Sequence, residues 1–134
     1  MIPAAVVLDA SAFIRAAEGG LEASEWIGRI ESKDVSARAP DLVYAEAANA
    51  LLVQSRAGRL DLEAAAAVLD VLRRLPIRVT SAREFAPAAL HVAESRGLSA
   101  YDASYVVLAE LADAALLTAD RRLAAATSNS VLLD

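Results

Sequence analysis

Residues 99–110, SAYDASYVVLAE, form the stretch around which we expect the rest of the chain to be organised. Ser99 stands at the position of a helix N-cap, and Asp102 follows three residues later, as in a capping box. On a helix, Asp102 shares its face with residues one and two turns further on, namely Tyr105, Val106 and Ala109. Because that face is otherwise apolar, the pattern predicts a carboxylate that points towards the core and needs a partner there.

The composition of the chain narrows the choice of partner. Its 134 residues predict one domain, spanning 1–134, and 57% of them are hydrophobic, which is enough to bury a core. The absence of cysteine excludes disulfides and cysteine-based zinc sites. A single histidine, His91, excludes any site built from two histidines, and the single lysine, Lys33, lies far from Asp102 in the sequence.

The net charge of −5 argues against a simple basic nucleic-acid binder. Twelve of the thirteen basic residues are arginines, which suit bidentate contacts with phosphate, although a GC-rich genome would produce the same excess. No run approaches the roughly 18 apolar residues of a membrane span, and the N-terminus lacks the pattern of a signal peptide. The sequence therefore predicts a soluble, cytoplasmic protein without membrane contacts.

Strand and helix patterns alternate along the chain. Short apolar runs predict strands over residues 2–8, 35–39, 76–80, 114–118 and 131–133. Helical periodicity predicts helices over 11–17, 21–32, 41–57, 62–74, 81–97 and 99–110, and a short one from 121. We expect Ser81 and Glu84 to cap the helix over 81–97, with Pro87 in its second turn. The alternation predicts a three-layer α/β domain, in which helices flank a central parallel sheet.

Three further carboxylates belong with Asp102. Asp9 and Asp120 each follow a predicted strand directly, at the edge where ligands bind to parallel sheets. Glu46 lies on an apolar helix face, whose expected inward residues are Leu42, Val43, Ala50 and Val53. If the strands before Asp9 and Asp120 are neighbours where the strand order reverses, all four carboxylates share one crevice.

Four carboxylates without basic partners raise each other's pKa, and a divalent cation relieves that repulsion. Oxygen ligands of this kind suit Mg²⁺ or Mn²⁺, and such a cation polarises a phosphodiester and activates a bound water. Each acid also has a simpler interpretation on its own: Asp9, Asp102 and Asp120 as helix caps, and Glu46 as a solvated side chain. Two of the four lie on helix faces that should be buried, which favours the shared crevice.

The same segments carry a family resemblance. Residues 6–12, VVLDASA, resemble the opening strand motif of PIN-domain ribonucleases. Residues 41–51, 99–105 and 117–123 resemble the second, third and fourth motifs, in order and with compact spacing. The match spans nearly the whole chain, and at this length it is most similar to the VapC-type toxins of bacterial toxin–antitoxin pairs.

The resemblance implies a strand order of 3-2-1-4-5 and an Mg²⁺- or Mn²⁺-dependent endoribonuclease that acts on RNA. It also implies a homodimer and a cognate antitoxin that blocks the site. By motif, Asp9 and Asp102 would be direct metal ligands, and Glu46 and Asp120 would complete the catalytic cluster directly or through water. Arg121 and Arg122 stand where some relatives have a further acid, so four acids are carried over.

Several other residues keep two interpretations. Ser11 either binds a metal-bound water or caps its helix, and Asn49 either orients Glu46 or makes a surface or dimer contact. The residues Arg15, Arg121 and Arg122 either hold RNA phosphates or are solvated. Trp26 belongs to the core or anchors an antitoxin helix.

Two other functions compete with a toxin nuclease. One is a housekeeping RNA-processing nuclease of the same fold, which would lack an antitoxin. The other is a metal-binding signalling module similar to a response-regulator receiver, which also clusters acids at strand ends. That chemistry needs a lysine near the site, and Lys33 is expected in a loop before the second strand.

Overall fold

A five-stranded, fully parallel sheet forms the middle layer of the computed structural model, which describes residues 2–134. The strands are β1 (Ala5–Leu8), β2 (Ser36–Pro40), β3 (Ile77–Thr80), β4 (Ala115–Thr118) and β5 (Ser130–Leu132). Their order in the sheet is β3-β2-β1-β4-β5. The predicted α/β class and the strand order that the family resemblance implies are therefore both confirmed.

Helices cover both faces of the sheet. Within residues 2–134 they are α1 (Ala10–Ala17), α2 (Leu21–Glu31), α3 (Leu42–Arg56), α4 (Leu62–Arg74), α5 (Ala86–Arg96), α6 (Ala100–Leu111) and α7 (Arg121–Ala124). Helices α5 and α6 pack together, and α6 contacts β1, β2 and β4. The pairs α1–α2, α1–α3 and α3–α4 are also in contact. Since crossovers between parallel strands are right-handed and the strand order reverses between β1 and β4, we expect these helices on the other face. None of the helices in this range is long and apolar enough to cross a membrane.

The centre of the sheet fixes where a ligand can bind. Strands β1 and β4 are neighbours, with Leu8 paired to Leu117, and both are buried on their two faces as expected for central parallel strands. From β1 the chain builds one half of the sheet through β2 and β3, and β4 and β5 build the other half. The strand order therefore reverses between β1 and β4. The backbone N–H of Asp9 donates to the Leu117 carbonyl (3.0 Å), which holds Asp9 at this reversal.

The predicted helix over 81–97 is divided. A short 3-10 turn occupies Ala82–Glu84, and α5 begins only at Ala86, with Pro87 in its first turn. Proline is tolerated there because the first-turn N–H groups have no partner within the helix. The hydroxyl of Ser81 accepts a hydrogen bond from the Arg83 N–H (3.3 Å), so it caps the 3-10 turn. The prediction of one helix with Pro87 in its second turn is wrong.

Two predictions about core residues had different outcomes. Trp26 is buried at 5% exposure, with the Arg29 guanidinium 4.9 Å from its ring centre, so the core assignment is confirmed and the exposed anchor is wrong. The inward assignment of Val53 is wrong, because Val53 is 57% exposed. The buried face of α3 follows Val43, Ala47 and Leu51, one turn apart, and Val53 lies about 200° around the helix from Leu51.

Candidate active site

One depression at the carboxyl ends of β1 and β4 contains all four predicted acids. It has a volume of about 420 Å³ and is lined by Asp9, Glu46, Asp102 and Asp120. The other lining residues are Ala10, Ser11, Ile14, Arg15, Glu18, Ala50 and Ala119. We call this depression the acidic crevice. Glu18, a fifth acid at its wall, was not singled out in the sequence because it stands at the end of α1, far from any strand end.

Asp9 is the most deeply held of the four acids. It is only 6% exposed, and the hydroxyls of Ser11 (2.5 Å) and Thr118 (2.7 Å) both donate to its Oδ2. Burial raises the pKa of Asp9, the two hydrogen bonds oppose that rise, and the charges of Asp102 and Asp120 add to it. Asp9 occupies the N-cap position of α1, but its side chain makes no capping hydrogen bond. The interpretation of this carboxylate as a simple helix cap is therefore wrong.

Ser11 and Thr118 link the first turn of α1 to the end of β4 beside the crevice. The Ser11 hydroxyl accepts from the Ala119 N–H (2.9 Å), and the Thr118 hydroxyl accepts from the Asp120 N–H (3.0 Å). Ser11 was expected at the start of its helix, yet α1 begins at Ala10, so Ser11 lies inside the first turn and supports Asp9. Thr118 was missed as a site residue. The available signal was a polar residue ending an apolar strand just before Asp120.

Glu46 has a partner that the sequence did not indicate. The Tyr105 hydroxyl, on α6, donates to Glu46 Oε1 at 2.5 Å, while Tyr105 itself is fully buried. Burial raises the pKa of Glu46, the bond from Tyr105 opposes this, and the charges of Asp9 and Asp102 add to it. Burial also raises the pKa of Tyr105, so its hydroxyl stays protonated and acts as the donor. Asn49, for which the sequence left open either orientation of Glu46 or a surface or dimer contact, is exposed.

Asp102 and Asp120 enter the crevice from helix starts. Ser99 accepts a hydrogen bond from the Asp102 backbone N–H (3.1 Å), so the predicted N-cap is confirmed and the Asp102 carboxylate is left in the crevice. Burial and the nearby Asp120 raise the pKa of Asp102, while the Ser99 hydroxyl and Arg122 act in the opposite direction. Asp120 caps α7, since its Oδ1 accepts from the backbone N–H groups of Arg122 (2.9 Å) and Leu123 (3.1 Å).

The three arginines predicted near the site are placed differently. Arg15 lines the crevice, and its guanidinium lies 3.9 Å from the Glu18 carboxylate. The Arg122 guanidinium donates a hydrogen bond to the Gly97 carbonyl, and this bond holds the Arg122 side chain beside Asp102 rather than in the crevice. Arg121 is exposed and does not line the crevice. Arg15 is therefore the arginine best placed to meet a ligand.

The donor set of the crevice suits a hard divalent cation. It consists of carboxylate and hydroxyl oxygens, and within residues 2–134 no arginine or lysine side-chain nitrogen lies within 4.0 Å of a carboxylate oxygen of the four acids. In the same range, no three acidic or histidine side chains stand close enough to ligate one ion together. A cation here would take most of its ligands from water, as Mg²⁺ does when one or two carboxylates hold it.

A parallel sheet of this order, with acids gathered where the strand order reverses, is the arrangement of PIN domains. The PIN domain family model matches residues 6–128, and the chain belongs to this family. The resemblance to PIN-domain proteins of the VapC type is thereby confirmed, since two curated relatives carry that name.

Both of these relatives come from Pyrobaculum aerophilum. Ribonuclease VapC3 is 37% identical over 121 residues, which cover 89% of this chain and 92% of VapC3. Exonuclease VapC9 is 38% identical over 91 residues, which cover 67% of this chain and 66% of VapC9. Among solved structures, VapBC2 from Rickettsia felis, bound to a DNA fragment from its promoter, matches with a TM-score of 0.70 over 97% of this chain and 99% of that one. Its 13% identity limits that likeness to the fold.

Proposed function

We propose that this chain is a VapC-type toxin, a metal-dependent endoribonuclease that hydrolyses RNA phosphodiester bonds in the acidic crevice. The observation that carries the proposal is the convergence of Asp9, Glu46, Asp102 and Asp120 at the strand-order reversal, with none of the four in an ion pair within residues 2–134. The names of the relatives, a ribonuclease and an exonuclease at 37–38% identity, support a nuclease of this family.

The residues present fit Mg²⁺ or Mn²⁺. Asp9 and Asp102 would hold the cation directly, and Glu46 and Asp120 would complete the cluster through water. When bound, the cation supplies charge for the phosphodiester oxygens and lowers the pKa of a water molecule. The hydroxyls of Ser11 and Thr118 keep Asp9 oriented, and the Tyr105 hydroxyl does the same for Glu46.

The decisive test is RNA cleavage by the purified chain. We expect cleavage with Mg²⁺ or Mn²⁺, none in EDTA, and a loss of at least a hundredfold in Asp9→Asn and Asp102→Asn. Glu63→Gln is the matched control, because Glu63 is an exposed acid on α4 outside the crevice, and it should cleave like the wild type. Full cleavage in EDTA, or undiminished cleavage in both aspartate variants, would rule the proposal out.

Since one relative is named an exonuclease, the position of cutting needs its own assay. A circular single-stranded RNA has no ends, so only an endonuclease can open it. We expect the wild type to linearise the circle. If it degrades linear RNA from its ends and leaves the circle intact, the endonuclease assignment fails while nuclease activity stands.

We further propose that the chain acts in the cytoplasm as a homodimer and that a cognate antitoxin blocks the crevice. The VapC names and the fold of the VapBC2 complex support an antitoxin partner. Induced expression should arrest growth, and co-expression of a small protein encoded beside this chain should restore it. Absence of both effects would favour the housekeeping nuclease. Light scattering should give the mass of two chains.

The signalling-module alternative has less support. Lys33 lies just before β2, whereas the acidic crevice lies at the carboxyl ends of the parallel strands, on the opposite edge of the sheet. No lysine is therefore placed to assist phosphotransfer. Uptake of phosphate from a small phosphodonor, with no RNA cleavage, would be needed to revive this function.

A further inference from the structure

A second depression adjoins the acidic crevice. It has a volume of about 400 Å³ and is lined by Leu42, Ala45, Glu46, Asn49, Ala50 and Tyr101; we call it the side pocket. Two of these residues, Glu46 and Ala50, also line the crevice, so the two depressions meet along α3. A molecule bound in the crevice can therefore extend into the side pocket.

An exposed aromatic ring forms one wall of the side pocket. Tyr101 is 68% exposed and directly precedes Asp102 in the first turn of α6, whereas Tyr105, one turn later, is fully buried. Packing within the chain does not explain Tyr101. Its ring offers a flat apolar face at the edge of the crevice, and flat rings of this kind are what unstacked bases of single-stranded RNA bind.

The other residues that line the side pocket indicate which kind of ligand fits it. Leu42, Ala45 and Ala50 are apolar, and no arginine or lysine lines the pocket, so it does not suit a phosphate group. Asn49 contributes an exposed amide, which carries both a donor and an acceptor. Such an amide matches the edge of a nucleobase, where donors and acceptors stand side by side.

We propose that the side pocket binds one nucleobase of the RNA strand beside the phosphodiester that is cut. The base stacks on Tyr101, and Asn49 hydrogen-bonds its edge. This inference rests on the proposed nuclease function and adds a subsite to it. It assigns Asn49 to the substrate rather than to Glu46, whose hydrogen-bond partner is Tyr105.

Steady-state cleavage of a short single-stranded RNA with Mg²⁺ tests the stacking. We expect Tyr101→Ala to raise KM about 5- to 140-fold, equivalent to ~1–3 kcal/mol of stacking, with kcat within about twofold of the wild type. Tyr101→Phe keeps the ring and should stay near the wild-type KM. Leu111→Ala is the matched control, because Leu111 is an exposed apolar residue at the far end of the same helix. A wild-type KM for Tyr101→Ala, with cleavage intact, overturns the subsite and leaves the nuclease function standing.

Two further measurements separate base stacking from other roles of Tyr101. Binding is measured in EDTA with a set of RNAs, each of which lacks one base. At the position that stacks on Tyr101, base removal and Tyr101→Ala should each weaken binding, and the two changes combined should weaken it no further than either one alone. Additive losses at every position overturn the proposal. Asn49→Ala should change the preference among the four bases there, and unchanged preference counts against it. If Tyr101→Ala turns a dimeric protein into a monomer, Tyr101 makes a contact between two copies of the chain and the base-binding proposal fails. If the wild-type chain neither cleaves nor binds RNA, both this proposal and the nuclease function fail.

Discussion

Tyr105→Phe tests how the crevice holds one of its acids. The substitution removes a single oxygen from a fully buried ring, so the ring still fills its place and no large cavity forms. What is lost is the 2.5 Å hydrogen bond to Glu46 Oε1. A hydrogen bond to a charged group contributes about 1.5–3 kcal/mol. Because Glu46 is half-buried and water can reach its carboxylate, we expect a loss near the lower end, about 1–2 kcal/mol of unfolding free energy.

That loss is measurable in two ways. For a chain of this length, about 1–2 kcal/mol corresponds to a fall in Tm of roughly 4–8 °C, and urea denaturation should give the same free energy with an unchanged slope. Cleavage of RNA should fall about 10- to 100-fold, as is usual when a residue that orients a metal-site ligand is removed. Tyr44→Phe is the matched control, because Tyr44 is a partly buried tyrosine on α3 outside the crevice, and both readouts should stay near wild type.

A double-mutant cycle decides whether the hydrogen bond is responsible. In the Glu46→Ala background the acceptor is gone, so Tyr105→Phe should cost at least 1 kcal/mol less than in the wild type. Equal costs in the two backgrounds would refute the reasoning, because the tyrosine would then stabilise the fold through other contacts. Unchanged stability and cleavage in Tyr105→Phe itself would refute it as well.

Three other predictions concern the charge of the crevice. The folded-state pKa of Asp102 is raised, so the metal-free protein should gain stability as pH falls from neutral towards 3.8, the ordinary aspartate pKa. Denaturation in EDTA should show a weaker dependence of the unfolding free energy on pH in Asp102→Asn than in the wild type. An identical dependence in the two proteins would contradict this prediction. Mg²⁺ or Mn²⁺ at a hundred times its dissociation constant should raise the unfolding free energy of the wild type by about 2.7 kcal/mol, measured by calorimetry. The gain should be much smaller in Asp9→Asn, and an equal gain in that variant would mean that the cation binds elsewhere. Thr118→Val should lower the free energy of unfolding by about 1–3 kcal/mol in urea denaturation, because it removes a donor to Asp9 and an acceptor for the Asp120 N–H. A decrease of less than about 0.5 kcal/mol would show that other hydrogen bonds replace these two.

The positions of the four acids could be predicted because each depends on local patterns. Asp9 and Asp120 follow apolar strands, and Asp102 and Glu46 interrupt apolar helix faces. Parallel strands end at a common edge, so strand ends and helix faces are enough to bring these side chains together once the strand order is known. The order itself came from the family resemblance, since the residues alone left open whether β1 and β4 are neighbours.

The hydrogen bonds between residues far apart in the sequence could not be predicted in the same way. Tyr105 and Glu46 are 59 residues apart, and their contact depends on how α6 and α3 are placed across the sheet. Side-chain periodicity gives the face of each helix but not which residue of another helix it meets. The division of the helix over 81–97 has a related cause: Pro87 restricts where α5 can begin, and the capping residues Ser81 and Glu84 were compatible with either start.

The partners of these carboxylates explain how a charged crevice can be stable and still bind a cation. Asp9 and Glu46 receive their hydrogen bonds from neutral hydroxyls, those of Ser11, Thr118 and Tyr105. A neutral donor stabilises an ionised carboxylate without cancelling its charge, whereas an arginine or lysine at the same distance would also neutralise it. Such a basic partner would compete with a divalent cation for the same oxygens. Burial, together with repulsion from neighbouring carboxylates, raises the pKa values of Asp9, Glu46 and Asp102, and the proposed cation would offset this cost when it binds.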